Sequence, residues 1–208
     1  PMHEPRQWHN ATVLPDGQVF VNGGTRQANY GGADAVYEGE IWSPLTGQWQ
    51  RTAAAATVRV YHSTSLLLPN GTVLTAGGGA PGPVNTFNAE LFLPPYLFRR
   101  DSGRTELAAR PQLLSLSSTW GHYGQPLLAQ VGIADTIKEA ALIGVGNDTH
   151  SFNPSQRRVP LTFSQNGDLL TLQMPSWGAI APPGYYQLVV LDARRVPSRG
   201  AIIRLQDN

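Results

Sequence analysis

The sequence has no cysteine in its 208 residues, so disulfides, thiolate metal sites and thiol nucleophiles are all excluded within the chain. Charge is scarce too: only 14% of residues are charged, the formal net charge is +1, and Lys138 is the single lysine. No stripe of one sign exists to track a phosphate backbone, which excludes a nucleic-acid partner. The arginine pairs at 99/100, 157/158 and 194/195 lie near turn residues and read as solvated surface rather than anion sites. No apolar run approaches the ~18 residues of a membrane-spanning helix. The start, Pro1-Met2, lacks the basic-then-apolar order of a signal peptide and reads as a cut boundary. Gly-x-Ser-x-Gly, His-Glu-x-x-His and phosphate-loop motifs are absent, leaving hydrolase and nucleotide chemistry without a motif.

What the chain has in quantity is glycine (22) and proline (17), with 41% apolar residues. That balance predicts a turn-rich all-β protein with a real core. The first half repeats. Trp8-His9-Asn10-Ala11-Thr12-Val13-Leu14-Pro15-Asp16-Gly17, ending at Gly23-Gly24, returns as Tyr61-His62-Ser63-Thr64-Ser65-Leu66-Leu67-Leu68-Pro69-Asn70-Gly71, ending at Gly77-Gly78. Each copy reads as a β-hairpin closed by Pro-Asp-Gly or Pro-Asn-Gly. Glu40-Ile41-Trp42-Ser43-Pro44 is echoed by Glu90-Leu91-Phe92-Leu93-Pro94. A period near fifty with paired glycines predicts kelch-type propeller blades of four strands each. Two blades cannot close a ring, so the chain is expected to be a piece whose remaining blades come from the same parent chain or from another.

The polar stretch 99–111 predicts a linker, and beyond it the character changes. Seven short apolar runs, at 113–116, 126–131, 140–145, 159–163, 169–174, 185–191 and 201–205, predict an immunoglobulin-like β-sandwich without the antibody-type Cys pair. The expected organisation is two blades over residues 1–104 and a sandwich over 105–208.

The chemistry-bearing side chains are His3, His9, His62, His122, His150 and seven tyrosines. Imidazole and phenol suit copper better than calcium or magnesium. In Arg59-Val60-Tyr61-His62-Ser63 two such groups are adjacent, and adjacent strand residues face opposite ways. They can share a metal only where the strand ends, twists or bulges. By spacing alone, a packed tyrosine beside a hydrogen-bonded histidine is the better account of the pair, and His150 in Gly146-Asn147-Asp148-Thr149-His150-Ser151 reads as a polar loop residue.

Arg59-Val60-Tyr61-His62-Ser63 with Leu66-Leu67-Leu68-Pro69-Asn70-Gly71 and Gly77-Gly78-Gly79 closely resembles the galactose oxidase and glyoxal oxidase family of copper radical oxidases. The resemblance continues through Glu90–Leu97, through Asp148–Asn153 into Gln156–Leu161, and through Ala181–Tyr186 into Val196-Pro197-Ser198. It runs from about Arg6 to Leu205 and covers the C-terminal third of such an enzyme. It implies copper (Cu2+) held by Tyr61, His62 and His150, with Tyr61 the axial ligand and catalytic base. His150 is delivered on a sandwich-domain loop that reaches toward the propeller axis. Trp8 and His9 fall near the family's substrate pocket, and so does Tyr30, across a gap in the correspondence. The partners implied are a small primary alcohol or aldehyde and dioxygen, with hydrogen peroxide as product, and the location is secreted. Sequons at Asn10, Asn70 and Asn147 are compatible with that location. The departure is the radical cofactor: the family's second copper-bound tyrosine, cross-linked to a cysteine, lies in earlier blades and has no counterpart here. The isolated chain is therefore expected not to turn over. The competing reading is a non-catalytic kelch-plus-sandwich module that binds carbohydrate or protein.

Overall fold

The computed structural model describes residues 1–27, 32–79, 84–132 and 136–207. The chain is all-β, with eighteen strands and one 3₁₀ turn at Pro95–Leu97 among the described residues. It divides into two compact units: Pro1–Leu68, Thr72–Leu93 and Gly146–Gln156 form the first, and Pro69–Gly71, Pro94–Val145 and Arg157–Asn208 the second.

In the first unit, β1 (Asn10–Val13), β2 (Val19–Asn22), β3 (Glu38–Trp42) and β4 (Trp49–Ala54) form a four-stranded antiparallel sheet in chain order. The second copy gives β5 (Ser63–Leu67), β6 (Val73–Gly77) and β7 (Ala89–Phe92), a sheet of three strands where four were expected. In the first copy a Thr46-Gly47 turn leads β3 back into β4. In the second copy Pro94, the match of Pro44, is followed by a second proline, and Pro94-Pro95 has no N–H groups to continue a ladder; Pro95 instead starts the 3₁₀ turn. The hairpin turns match in both copies, with Gly17 and Gly71 each at φ 84°, a left-handed conformation that glycine adopts without penalty.

The sheets of the two copies pack on each other. Phe20 of β2 stacks on Phe92 of β7 with centroids 4.0 Å apart. Repeat-equivalent polar residues also meet directly. Asn10 Nδ2 donates to Ser63 Oγ (2.8 Å), and the Thr12 and Ser65 hydroxyls lie 2.9 Å apart, all buried. Buried polar groups are tolerated only when paired, so this ladder fixes which strand faces which. The buried Asn10 amide cannot carry a glycan in the folded protein, and that sequon loses its meaning.

The second unit is a two-sheet sandwich. One sheet runs β10 (Leu113–Leu116), β12 (Pro126–Val131), β16 (Leu169–Gln173), β15 (Phe163–Asn166). The other runs β11 (Trp120–His122), β18 (Ala201–Gln206), β17 (Gly184–Leu191), β13 (Glu139–Gly144), β14 (Arg158–Leu161). Its core includes Leu127, Leu142, Leu170, Leu172, Leu188, Ile203 and Leu205, at alternate strand positions as a half-buried strand requires. Where a linker was expected, β8 (Phe98–Asp101) and β9 (Arg104–Leu107) pair as a hairpin. Ser102 and Gly103 close it at φ 47° and 83°, the two-residue turn that suits twisted strands.

The arginine pairs face carboxylates. Arg99 reaches Glu106, Arg158 and Arg195 share Glu139, and Arg194 reaches Asp192.

Candidate metal centre

Each repeat is built around a buried guanidinium. Arg6 Nη1 donates to Gly23 O and Glu38 O, and its Nη2 donates to Glu40 (2.7 Å). Arg59 Nη1 donates to Gly77 O and Asn88 O, and its Nη2 donates to Glu90 (3.0 Å). Both Nε atoms are buried without a partner among the described residues. A buried charge persists only where it is paired and hydrogen-bonded, so each arginine locks the backbone it crosses. Neither was singled out from sequence, although Arg-x-aromatic-His stands in both copies, at Arg6 and at Arg59.

The Arg59 frame sets the turn that carries the adjacent phenol and imidazole. Arg59 O accepts from Gly24 N, Tyr61 O accepts from Gly79 N, and Val60 O accepts from Ser63 N. The last bond closes a β-turn over 60–63 with His62 at φ 66°, a position that such turns ordinarily give to Gly or Asn. Gly23 must be glycine for this approach, because a Cβ there would lie 2.5 Å from Arg59 O. Strand β5 starts only at Ser63, so the alternation of faces does not apply to Tyr61 and His62. Their ring centroids are 3.9 Å apart.

His150 arrives on a second turn of the same unit. Thr149 and Phe152 exchange both backbone bonds, N to O at 3.0 and 2.9 Å, around His150 (φ 54°) and Ser151 (φ 60°). This is the hairpin turn with two left-handed central residues, ordinarily Asn-Gly. The turn sits on a braced loop. Asn153 Oδ1 accepts from Asn147 N and Ser155 N, and Asp148 Oδ2 accepts from Ser65 N (2.6 Å) and the Thr64 hydroxyl (3.3 Å). Gly146 passes close to Leu66, where a Cβ would stand 2.7 Å from its Cδ2. The His150 ring centroid lies 4.6 Å from that of His62, nearly perpendicular at 85°, and 5.7 Å from that of Tyr61.

The His62 and His150 rings stand at a spacing that one ion could span. A metal–nitrogen bond of about 2 Å places the ring centroids of two imidazoles on adjacent coordination positions about 4.5 Å apart. The Thr149 hydroxyl lies 2.7 Å from His150 Nδ1, which occupies one ring nitrogen and leaves Nε2 for a metal. Backbone strain points the same way. Of the six non-glycine residues with positive φ among those described, His62, His150, Ser151 and Trp8 lie at this place. Such conformations cost of order 1–3 kcal/mol each and persist where the surroundings enforce them. Among the described residues no three His, Cys, Asp or Glu side chains cluster as a metal site; the oxygen donor group beside the two imidazoles is the Tyr61 phenol. Tyr61 and His62 are half-buried and His150 is exposed.

Trp8 joins the group, its ring 5.7 Å from that of Tyr61. His9 does not meet the trio. Its Nδ1 is buried without a partner among the described residues, and burial, aided by the Arg6 cation, holds its pKa below the ordinary imidazole value. Tyr30 lies outside the described residues. His3 and His122 are elsewhere, with ring nitrogens on the backbone oxygens of Trp49 and Asp207.

One consequence is measurable without metal. Ser151 combines a left-handed backbone with a buried Oγ that finds no partner among the described residues. Ser151→Gly is expected to raise unfolding free energy by about 1 kcal/mol in denaturant melts. An unchanged or lower midpoint would show that the turn is unstrained.

Relatives place this geometry in context. The galactose oxidase-like early set domain family matches residues 110–205. Over 204 residues the chain is 37% identical to a galactose oxidase of Gibberella zeae, covering 96% of this chain and 29% of that protein. An aldehyde oxidase of Vitis pseudoreticulata is 29% identical over 93% of this chain and 40% of its own length. Among solved structures, a fungal alcohol oxidase in complex with copper superposes with a TM-score of 0.87 at 32% identity, over 97% of this chain and 42% of that one. The chain thus spans under a third of the galactose oxidase it matches. It has galactose oxidase and aldehyde oxidase homologues, and its residues 110–205 match the galactose oxidase-like early set domain family.

Proposed function

We propose that this chain is the C-terminal portion of a copper radical oxidase that converts a primary alcohol or an aldehyde, with dioxygen, to the oxidised product and hydrogen peroxide. Residues 1–104 would be two propeller blades, completed by blades elsewhere in the parent protein or on another chain, and residues 105–208 the terminal sandwich. The observation that carries this reading is the convergence of Tyr61, His62 and His150, with both imidazoles on left-handed backbone.

His62 and His150 would hold the copper as neutral imidazoles, with Tyr61 as the third ligand. When bound, copper makes a coordinated hydroxyl more acidic and exchanges one electron. Tyr61 Oη then takes the hydroxyl proton of the alcohol or hydrated aldehyde. A phenol, with an ordinary pKa of about 10, serves as base near neutral pH only when its anion is stabilised. Trp8 packs beside Tyr61, with ring centroids 5.7 Å apart. Oxidation of the alcohol removes two electrons and two protons, which dioxygen accepts as hydrogen peroxide. The family's cysteine-linked tyrosine, the one-electron partner, requires a cysteine that this chain does not have, so the chain alone is expected to be inactive. The relatives' role also suggests a secreted parent protein.

The test is peroxide release by the copper-loaded full-length protein on primary alcohols and aldehydes. Tyr61→Phe is expected to lower kcat by about 10²–10⁴-fold, the usual worth of a positioned base. Equal turnover in Tyr61→Phe would remove the base role. No turnover by a full-length protein with its thioether intact would favour the carbohydrate- or protein-binding module.

A further inference from the structure

The loop that carries His150 is fastened at two points, and both fastenings are side chains acting as a missing strand. β1 and β5 are edge strands, each paired on one side only, to β2 and β6. Open edges leave backbone groups that must find partners. On β1, Gln156 supplies both: its Oε1 accepts from Val13 N (2.6 Å) and its Nε2 donates to Ala11 O. On β5, the Asp148 carboxylate accepts from Ser65 N and the Thr64 hydroxyl. The two edges are themselves tied by the Asn10–Ser63 and Thr12–Ser65 bonds. His150 stands between Asp148 and Gln156 in the loop, and Ser63 of the Asn10 bond directly follows His62.

We propose that Asp148 and Gln156 are positioning residues that together set where the His150 imidazole stands relative to Tyr61 and His62. The inference deepens the metal-centre reading and rests on it for its consequence, copper affinity, but the positioning itself exists without metal. The loop has no regular strand or helix of its own, only the one-bridge turn at Thr149–Phe152 and the Asn153 brace. Its hydrogen bonds to β1 and β5 are those amide and carboxylate contacts. Asparagine at 148 keeps an oxygen acceptor for Ser65 N. Glutamate at 156 keeps the acceptor for Val13 N but sets an oxygen against Ala11 O.

The experiment compares the wild-type protein with Asp148→Asn, Asp148→Ala, Gln156→Ala and Gln156→Glu, by two readouts. The first is the nuclear Overhauser contact between the His62 and His150 rings in metal-free protein. The second is Cu(II) affinity with its electron paramagnetic resonance parameters. Asp148→Asn should keep the ring contact and bind copper within a few-fold of wild type. Asp148→Ala, Gln156→Ala and the near-isosteric Gln156→Glu should lose the ring contact, weaken copper by roughly 10–100-fold and shift the spectrum, as loss of outer hydrogen-bond partners does at metal sites. A folded Gln156→Glu or Asp148→Ala with the wild-type ring contact and spectrum would overturn the proposal. If wild type binds no copper but the variants still lose the ring contact, the metal reading fails and the positioning role stands.

Discussion

His62→Ala and His150→Ala are each expected to weaken Cu(II) binding by more than about 100-fold, beyond what removal of an outer hydrogen-bond partner costs. The expectation follows from the count of donors. Among the described residues no carboxylate or third imidazole joins the trio, so loss of either ring leaves one imidazole and one phenol. The two alanine variants should agree in affinity, and a glycine variant separates backbone strain from ligand loss. His62 stands at φ 66° within a turn held by Val60 O, and His150 at φ 54° in a turn that prefers Asn-Gly. Alanine inherits the same strain at both, whereas His150→Gly should melt later than His150→Ala and bind copper no better. Isothermal titration and thermal melts separate these effects. Equal copper affinity in wild type and either alanine variant would remove that imidazole from the centre.

Breaking the buried pair of the first repeat should cost most in stability. The Arg6 and Glu40 side chains are both fully buried, 2.7 Å apart. Glu40 Oε2 and Oε1 also accept from His3 N (2.6 Å) and Glu4 N (3.1 Å). Glu40→Ala strands the guanidinium without its anion and is expected to cost about 3–5 kcal/mol, the range for removing one partner of a buried ion pair. The pair also has a pH signature. Burial pushes the Glu40 carboxyl up, but the His3 and Glu4 N–H groups and the Arg6 guanidinium outweigh it, so its pKa lies below the ordinary glutamate value. A carboxyl depressed on folding stabilises the native state above its unfolded pKa near 4.5, and that stability is lost as pH falls through the lower folded value. Wild type should therefore lose stability below about pH 4.5, and Glu40→Ala should lose less over the same interval. Parallel pH profiles for the two proteins, measured by denaturant unfolding, would contradict the assignment.

Much of this architecture was legible in the residues, for reasons that differ by element. All seven apolar runs of the second half became strands, because central sandwich strands bury alternate side chains such as Leu127, Ala129 and Val131 of β12. The strands missed are those without a buried face to write into the sequence. β11 is a three-residue edge strand and β15 a polar one, while β8 and β9 are exposed almost throughout. The first repeat announced its hairpins through Pro-Asp-Gly and Pro-Asn-Gly. The double proline at 94–95 that ends the second sheet at three strands was equally visible, Pro94 in the repeat and both prolines in the stretch Glu90–Leu97 that carries the resemblance. At the centre, the adjacency of Tyr61 and His62 was plain, but spacing alone favoured a packed tyrosine beside a hydrogen-bonded histidine. Their common facing depends on a turn whose third residue is a histidine in a glycine's conformation, which no propensity announces. His150 was harder still. It is about ninety residues away, and what brings it near is two side-chain contacts, from Asp148 and Gln156, to strand edges that sequence patterning does not reveal.

Anomalous diffraction at the copper edge, from crystals of the protein equilibrated with Cu(II), tests the central claim most directly. The account predicts one dominant peak, about 2 Å from a ring nitrogen of His62 and of His150 and facing Tyr61. Copper bound instead at His3 or His122, with the space among residues 61, 62 and 150 bare, would contradict it.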